Sequence, residues 1–281
     1  MTQHDLLDRI VSTARGAVAS RQQSRPRAIV EREAADRTPR ADAFRAALSV
    51  SQRVNVIAEC KRRSPVNGVL REDYDPSHLA QSYEAGGAAA ISVLTEPSFF
   101  DGALEHLTRV RASVALPVLR KDFLVDEYQI PEARAAGADA VLLIVAVLGD
   151  RLELLVRAAD RFGLAALVEV HDGNELRRAV DAGARIIGVN SRDLRTMTVR
   201  PATCAHLAPR MPAGITAVAE SGIRTGEDVA HLRAVGYSAF LVGERLVRSV
   251  DPGASLRELI DASGAASTKH QAPHQARSTK H

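Results

Sequence analysis

The sequence predicts an α/β fold closed as a single (β/α)8 barrel, a TIM barrel with an N-terminal helical extension, and three observations predict it. From residue 54 onward eight apolar, strand-like runs alternate with amphipathic helical stretches. Such alternation builds a parallel sheet covered by helices. A glycine also ends a helix directly before a strand in Gly87-Ala-Ala-Ala-Ile-Ser-Val, Gly137-Ala-Asp-Ala-Val-Leu-Leu, Gly183-Ala-Arg-Ile-Ile-Gly-Val and Gly236-Tyr-Ser-Ala-Phe-Leu-Val. These copies stand 50, 46 and 53 residues apart, about two βα units each, and glycine suits the left-handed residue after a helix. Finally, strand after strand ends on a charged or amide residue, which a closed barrel would gather at one mouth. The Gly-x-Gly-x-x-Gly fingerprint of an open dinucleotide-binding sheet is missing.

Taken in order, residues 5–18 place Leu6, Ile10 and Ala14 on one helical face, and Ala41 to Val50 repeats the pattern with Phe44 and Leu48. An Arg/Glu-rich segment broken by Pro26 and Pro39 lies between them. Residues 1–50 are therefore expected to be a helical extension packed on the barrel, and 51–265 the barrel itself. Strands are expected at 54–59, 89–94, 117–121, 140–145, 165–170, 186–190, 216–220 and 239–242. Helices should fill 77–85, 103–112, 127–136, 150–162, 173–182, 201–208 and 226–235, with a last one near 254–262. The remainder, 266–281, repeats Ser-Thr-Lys-His without apolar periodicity and is expected to be a disordered polar tail.

Composition excludes several classes. With 46% hydrophobic and 25% charged residues the chain reads as a soluble globular protein. Nothing approaches a membrane span, and Asp5 and Asp8 stand where an export signal would be apolar. Cys60 and Cys204 match no metal or redox spacing and fit a reducing cytoplasm. The pI near 9.1 comes from the flanks. Residues 1–50 hold 9 arginines against 6 acidic residues, 267–281 hold 3 basic residues and no acidic one, and the stretch between is slightly acidic. A nucleic-acid partner is therefore not expected.

The organising stretch is Pro117-Val118-Leu119-Arg120-Lys121-Asp122-Phe123, an apolar run that stops on a lysine. A buried ammonium needs a partner, and burial alone would push its pKa down toward proton-transfer range. Glu59 and Lys61 end the first strand on a shared face, since residues two apart point the same way. Glu169 ends the fifth strand, Asn190 the sixth with Arg192 just beyond, and Glu220 the seventh with Ser221 following. A salt-bridge plug could use such residues, but two lysines, three glutamates and an amide exceed what a plug requires and point to catalysis. Turns at Gly222 and Gly243, after the last two strands, suit a phosphate cradle. His171 has no companions at ligand spacing, so no metal is expected. Cys60 should face away from the barrel axis and pack.

Five motifs together closely resemble the indole-3-glycerol-phosphate synthase family: Ile57-Ala-Glu-Cys-Lys-Arg-Arg-Ser-Pro65, Val118-Leu-Arg-Lys-Asp-Phe123, Leu167-Val-Glu-Val-His171, Ile187-Gly-Val-Asn-Ser-Arg-Asp-Leu194 and Ala219-Glu-Ser-Gly-Ile223. The resemblance covers about residues 50–250. It implies a cytoplasmic lyase of tryptophan biosynthesis that closes the pyrrole ring of 1-(2-carboxyphenylamino)-1-deoxyribulose 5-phosphate with loss of carbon dioxide and water. It implies no cofactor or metal, a small-molecule phosphorylated substrate, no membrane or nucleic-acid partner, and a monomer. By resemblance Lys121 is the general acid at the ketone and Glu169 the base of the later dehydration. Lys61 pairs with the anionic substrate or acts as a second acid, while Glu59, Asn190, Arg192 and Glu220 orient lysines, carboxylate and hydroxyls. Ser64 lies in the mobile first loop, Phe123 is among the substrate-binding residues, and Ser221, Gly222 and Gly243 hold the phosphate. Val66-Asn67 departs from the usual serine and basic residue of that loop, and Ser191 from a frequent asparagine.

Two rivals are weighed against this. A phosphoribosylanthranilate isomerase-like barrel would carry a cysteine/aspartate pair where this chain has Glu59, Lys61 and Glu169. A degenerate binding barrel would have lost one of Lys61, Lys121 or Glu169, and all three are present.

Overall fold

The computed structural model describes residues 6–270. Eight parallel strands close into a barrel: β1 Asn55–Cys60, β2 Ala90–Leu94, β3 Val118–Lys121, β4 Ala140–Ile144, β5 Ala165–Val170, β6 Ile186–Asn190, β7 Thr216–Glu220 and β8 Ala239–Val242. β1 pairs with β8 as well as with β2, which leaves no open edge. The helices are α1 Leu6–Ser24, α2 Arg27–Ala35, α3 Ala41–Leu48, α4 Pro76–Ala85, α5 Leu104–Ser113, α6 Gln129–Ala135, α7 Leu152–Arg161, α8 Gly173–Asp181, α9 Ala202–Leu207, α10 Gly226–Ala234 and α11 Pro252–His270. Short helical turns at Pro97–Phe100, Val145–Leu148 and Glu244–Val247 follow β2, β4 and β8. No helix among the described residues is long and apolar enough to cross a membrane.

Strand alternation divides the core in two. Val56, Ala58 and Cys60 of β1, with Val168 and Val170 of β5 and Ile187 and Val189 of β6, pack outward against the helices. Ile57, Leu119, Leu142, Leu167, Ile186, Val218 and Leu241 fill the interior. Two residues above Ile57, Leu119, Leu167 and Val218, on the same inward face, come Glu59, Lys121, Glu169 and Glu220. The lower barrel is thus apolar, and its rim is ionisable.

α3 closes the bottom, with Phe44 and Leu48 joining the interior cluster. The Asn55 amide seals that junction by donating to the carbonyls of Leu48, Val50 and Ser238 at 2.9–3.1 Å. The segment between the first and third helices, read from sequence only as an interrupted stretch, contains α2. Pro26 breaks the chain after α1 and then precedes α2, where its missing N–H costs nothing. α11 runs to His270, beyond the end expected near 262; the rest of the expected tail, 271–281, lies outside the described residues.

Arg120 faces outward from β3 and is 1% exposed. It donates to Asp122 at 2.9 Å and to Glu132 of α6 at 2.9 Å. Glu132 also accepts from Arg21 of α1 at 2.7 Å, tying the extension to the barrel wall. Among the described residues neither guanidinium of this chain of contacts lacks a carboxylate. Glu132→Ala leaves the buried Arg120 guanidinium with one carboxylate, Asp122, in place of two and is expected to cost about 3 kcal/mol, read as a lower urea midpoint. Arg21→Met, which removes only the partly exposed partner of Glu132, should cost much less, and an equal loss would place the cost in the Arg21 contact and not in the buried one.

Candidate active site

Every sequence-predicted site residue lines one cavity of about 450 Å³ at the C-terminal mouth: Glu59, Lys61, Ser64, Lys121, Phe123, Glu169, Asn190, Arg192, Glu220, Ser221, Gly222 and Gly243. The charges pair along β1 and across strands. Lys61 Nζ lies 2.6 Å from Glu59 Oε1, and Lys121 Nζ lies 3.1 Å from Glu169 Oε2 and 3.7 Å from Glu220 Oε2. Two inward glycines make the room. A Cβ at Gly188 would collide with the Glu220 carboxylate, and one at Gly243 with that of Glu59.

The electrostatics correct one expectation. Burial works to lower the Lys121 pKa, but Glu169, Glu220 and Glu59 outweigh it and raise the pKa well above the ordinary lysine range. Lys121 is therefore a firmly held ammonium, not a depressed amine. Glu169 is fully buried, yet Lys121, with His171 and Asn190, drives its pKa far below the carboxylate range. Glu59 is likewise lowered, by Lys61 and Lys121 acting against burial. Glu220 goes the other way, because burial and the Glu169 anion raise it. The rim thus holds an ionised and a proton-retaining glutamate side by side around one ammonium, the divergence that separates acid from base roles.

Loops complete the cavity. The β1 loop forms a small hairpin, Arg63–Ser64 against Gly68–Val69, in which the Ser64 hydroxyl accepts from the Asn67 N–H at 3.1 Å. Arg62 reaches Asp101 at 2.9 Å, and the Asn67 amide donates to Glu244 at 2.8 Å, so the departing Val66-Asn67 pair still bridges to the turn after β8. The Ser191 hydroxyl turns aside to Cys204 at 3.2 Å. Ser221 and Gly222 are both left-handed, with φ of 63° and 77°. A non-glycine residue held there is strained, as binding turns often are. Asn190 Oδ1 accepts from the Arg192 N–H at 2.9 Å.

Cys60 is buried outside the barrel wall, and burial raises its thiol pKa. His171 pairs with glutamates, and no cluster that could hold a metal occurs among the described residues. Sequence reasoning missed the apolar lining from Phe100, Leu142, Ile144, Leu194 and Leu241, and the cations Arg224, Arg245 and Arg248. The arginines stood within a few residues of the glycine turns and could have been found. The apolar residues look like any other strand or loop hydrophobe. Together they give the cavity an apolar and a cationic lining, which suits a molecule with an apolar part and an anionic one.

A family model described as indole-3-glycerol phosphate synthase matches residues 7–259. The indole-3-glycerol phosphate synthase of Dechloromonas aromatica is 47% identical over 260 residues, covering 91% of this chain and 99% of its own. That of Variovorax paradoxus is 47% identical over 264 residues, with 91% and 99% covered. Among solved structures, thiamine phosphate pyrophosphorylase from Pyrococcus furiosus has a TM-score of 0.56 at 17% identity, covering 78% of this chain and 98% of its own. That is a likeness of fold.

Glu220→Gln should stabilise the protein while harming activity. A carboxyl whose pKa is raised on folding makes the native state bind more protons, so stability falls as pH rises above the ordinary glutamate value of 4.5. The gain in Tm from Glu220→Gln should therefore grow from pH 5 to pH 8, reaching about 2–4 °C if roughly 1 kcal/mol is relieved. A gain that is flat with pH would show that Glu220 is not held protonated.

Proposed function

The chain belongs to the indole-3-glycerol phosphate synthase family, and on that premise we propose how its residues divide the reaction. The activity is that of a decarboxylating carbon–carbon lyase of tryptophan biosynthesis acting on a phosphorylated small molecule. It closes the pyrrole ring of 1-(2-carboxyphenylamino)-1-deoxyribulose 5-phosphate, with loss of carbon dioxide and water.

Lys121 is the general acid. The aromatic carbon attacks the substrate ketone, and the ketone oxygen must gain a proton as its negative charge develops. A developing alkoxide is more basic than an amine, so even a firmly held ammonium can supply that proton. Glu169 is the base of the later dehydration, being ionised and adjacent to the vacating ammonium. Lys61, tethered by Glu59, neutralises the anthranilate carboxylate, while Asn190, Arg192 and Glu220 orient hydroxyls and lysines. Ser64 and Phe123 close over the aromatic end. Ser221, Gly222 and Gly243 hold the phosphate, with Arg224, Arg245 and Arg248 supplying charge. The observation that carries this division is the Lys121 ammonium shared between an ionised Glu169 and a proton-retaining Glu220. The same reading makes the working unit a cytoplasmic monomer, and the free, buried Cys60 and Cys204 suit a reducing compartment.

Lys121→Met should cut kcat by about 10²–10⁴-fold and leave KM nearly unchanged, because a proton donor acts mainly in the transition state. Lys61→Met should raise KM as well as lower kcat. The opposite pattern in steady-state indole formation would exchange the two roles. Arginine should not rescue Lys121, since a guanidinium holds its proton.

Inorganic phosphate should compete with substrate and raise Tm, and Ser221→Asp should abolish both effects by placing a carboxylate in the cradle. Persistence of both effects in that variant would move the phosphate site elsewhere.

A further inference from the structure

Behind Glu169 lies a pair of residues that the ring-closing roles above leave unused. His171 follows Glu169 by two residues at the end of β5, and its Nε2 stands 3.4 Å from Glu169 Oε1. The other oxygen of that carboxylate, Oε2, is the one that holds Lys121. Glu169 is therefore flanked on both oxygens by groups able to carry positive charge.

Glu175, in the first turn of α8, fixes the imidazole from the far side. Its Oε2 accepts from the His171 backbone N–H at 2.7 Å and lies 3.0 Å from ring Nδ1. The turn that bears Glu175 is itself pinned, because the Asp172 side chain caps α8 by accepting from the N–H groups of Asn174 and Glu175. With Nδ1–H committed to Glu175, a neutral ring would turn a lone pair toward the Glu169 carboxylate. The contact is attractive only if both nitrogens carry hydrogen.

We propose that His171 is a positioning residue for the base, an imidazolium clamped by Glu175 that keeps Glu169 ionised and in place once Lys121 turns to the substrate. The inference rests on the reading of Glu169 as the base of the dehydration. Its physical need is specific. Lys121 must leave Glu169 to protonate the ketone, and a fully buried carboxylate that loses its cation would take up a proton. His171 is the cation that stays. The groups facing it from the packed elements are Glu169 on its own strand, Glu175 from α8 and Asp193 beyond β6. Lys121 stands behind Glu169, and the Arg210 guanidinium lies over Gly173. Burial works against the imidazolium, but Glu169 and Glu175 prevail and hold its pKa at about 10.

The test is the pH profile of kcat for the native enzyme, His171→Gln and Glu175→Gln, with Glu169→Gln beside them. Removing the cation raises the Glu169 pKa, and a protonated base is inactive. The acidic limb should therefore move to higher pH by about one unit or more in both variants, a loss of roughly tenfold at a pH on that limb. KM should stay within about twofold, and kcat should return toward the native value at alkaline pH. An acidic limb that stays where it is in the native enzyme overturns the proposal, even if kcat falls uniformly, because a uniform fall reports only structural damage. Glu175→Gln, a partly exposed helix position, carries the test if His171→Gln does not fold. The base assignment fails separately, through a Glu169→Gln variant that remains active.

Discussion

The ion pair between Lys121 and Glu169 is the interaction on which the mouth of the barrel depends. Neither group could stay ionised there alone, because removing a lone charge from water costs several kcal/mol and the group would neutralise instead. Paired at 3.1 Å, each keeps the other charged. Their combined field then sets the neighbours. Glu220, close to both, feels the Glu169 anion and its own burial more strongly than the shared ammonium and retains its proton. Glu59 is kept ionised by the second lysine, 2.6 Å away. One ordered pair thus produces a donor, a base and a proton reserve from three glutamates and two lysines of unremarkable intrinsic acidity.

Strand geometry makes this arrangement possible without sacrificing the core. Each inward row is apolar at the bottom, as in Ile57, Leu119, Leu167 and Val218, and turns ionisable two residues higher. The hydrophobic layer below both stabilises the barrel and desolvates the rim, which strengthens every charge interaction above it. Side chains as long as glutamate fit only because Gly188 and Gly243 leave the space beside Glu220 and Glu59 empty. These glycines act by their lack of volume.

The same strand that presents Lys121 inward presents Arg120 outward. Arg120 joins Asp122, Glu132 and, through Glu132, Arg21 of the N-terminal helix. The extension therefore does more than cap apolar surface. It fixes the outer side of the catalytic strand, and Arg9 stacked over Phe99 at 5.8 Å brings α1 to the loop after β2. A buried, fully paired network of this kind contributes little net stability but strongly disfavours alternative placements of its members.

The amino-acid sequence by itself determined the architecture and the membership of the site. Apolar strand-like runs, helix-ending glycines and the polar residues closing several of the strands were enough to locate all eight strands within a residue or so, because all three patterns arise from local backbone geometry. They also named the ionisable residues of the cavity, since a closed barrel brings strand ends together whatever its details, whereas Ser64 and Phe123 came from the family resemblance and the apolar lining and Arg224, Arg245 and Arg248 were missed. Only the tertiary structure decided what those residues are electrically. Lys121 read alone is a buried amine with a lowered pKa; three carboxylates from three other strands reverse the sign. His171 read alone is a loop histidine, and becomes an imidazolium only through Glu169 and Glu175. α2 was hidden because two prolines and a dense run of charges mask its periodicity, while its apolar face, Val30 and Ala34, acquires meaning only against the packed helices. Strand position is a local property of the chain, whereas charge state depends on which distant residues arrive within about 4 Å, and no local pattern encodes that.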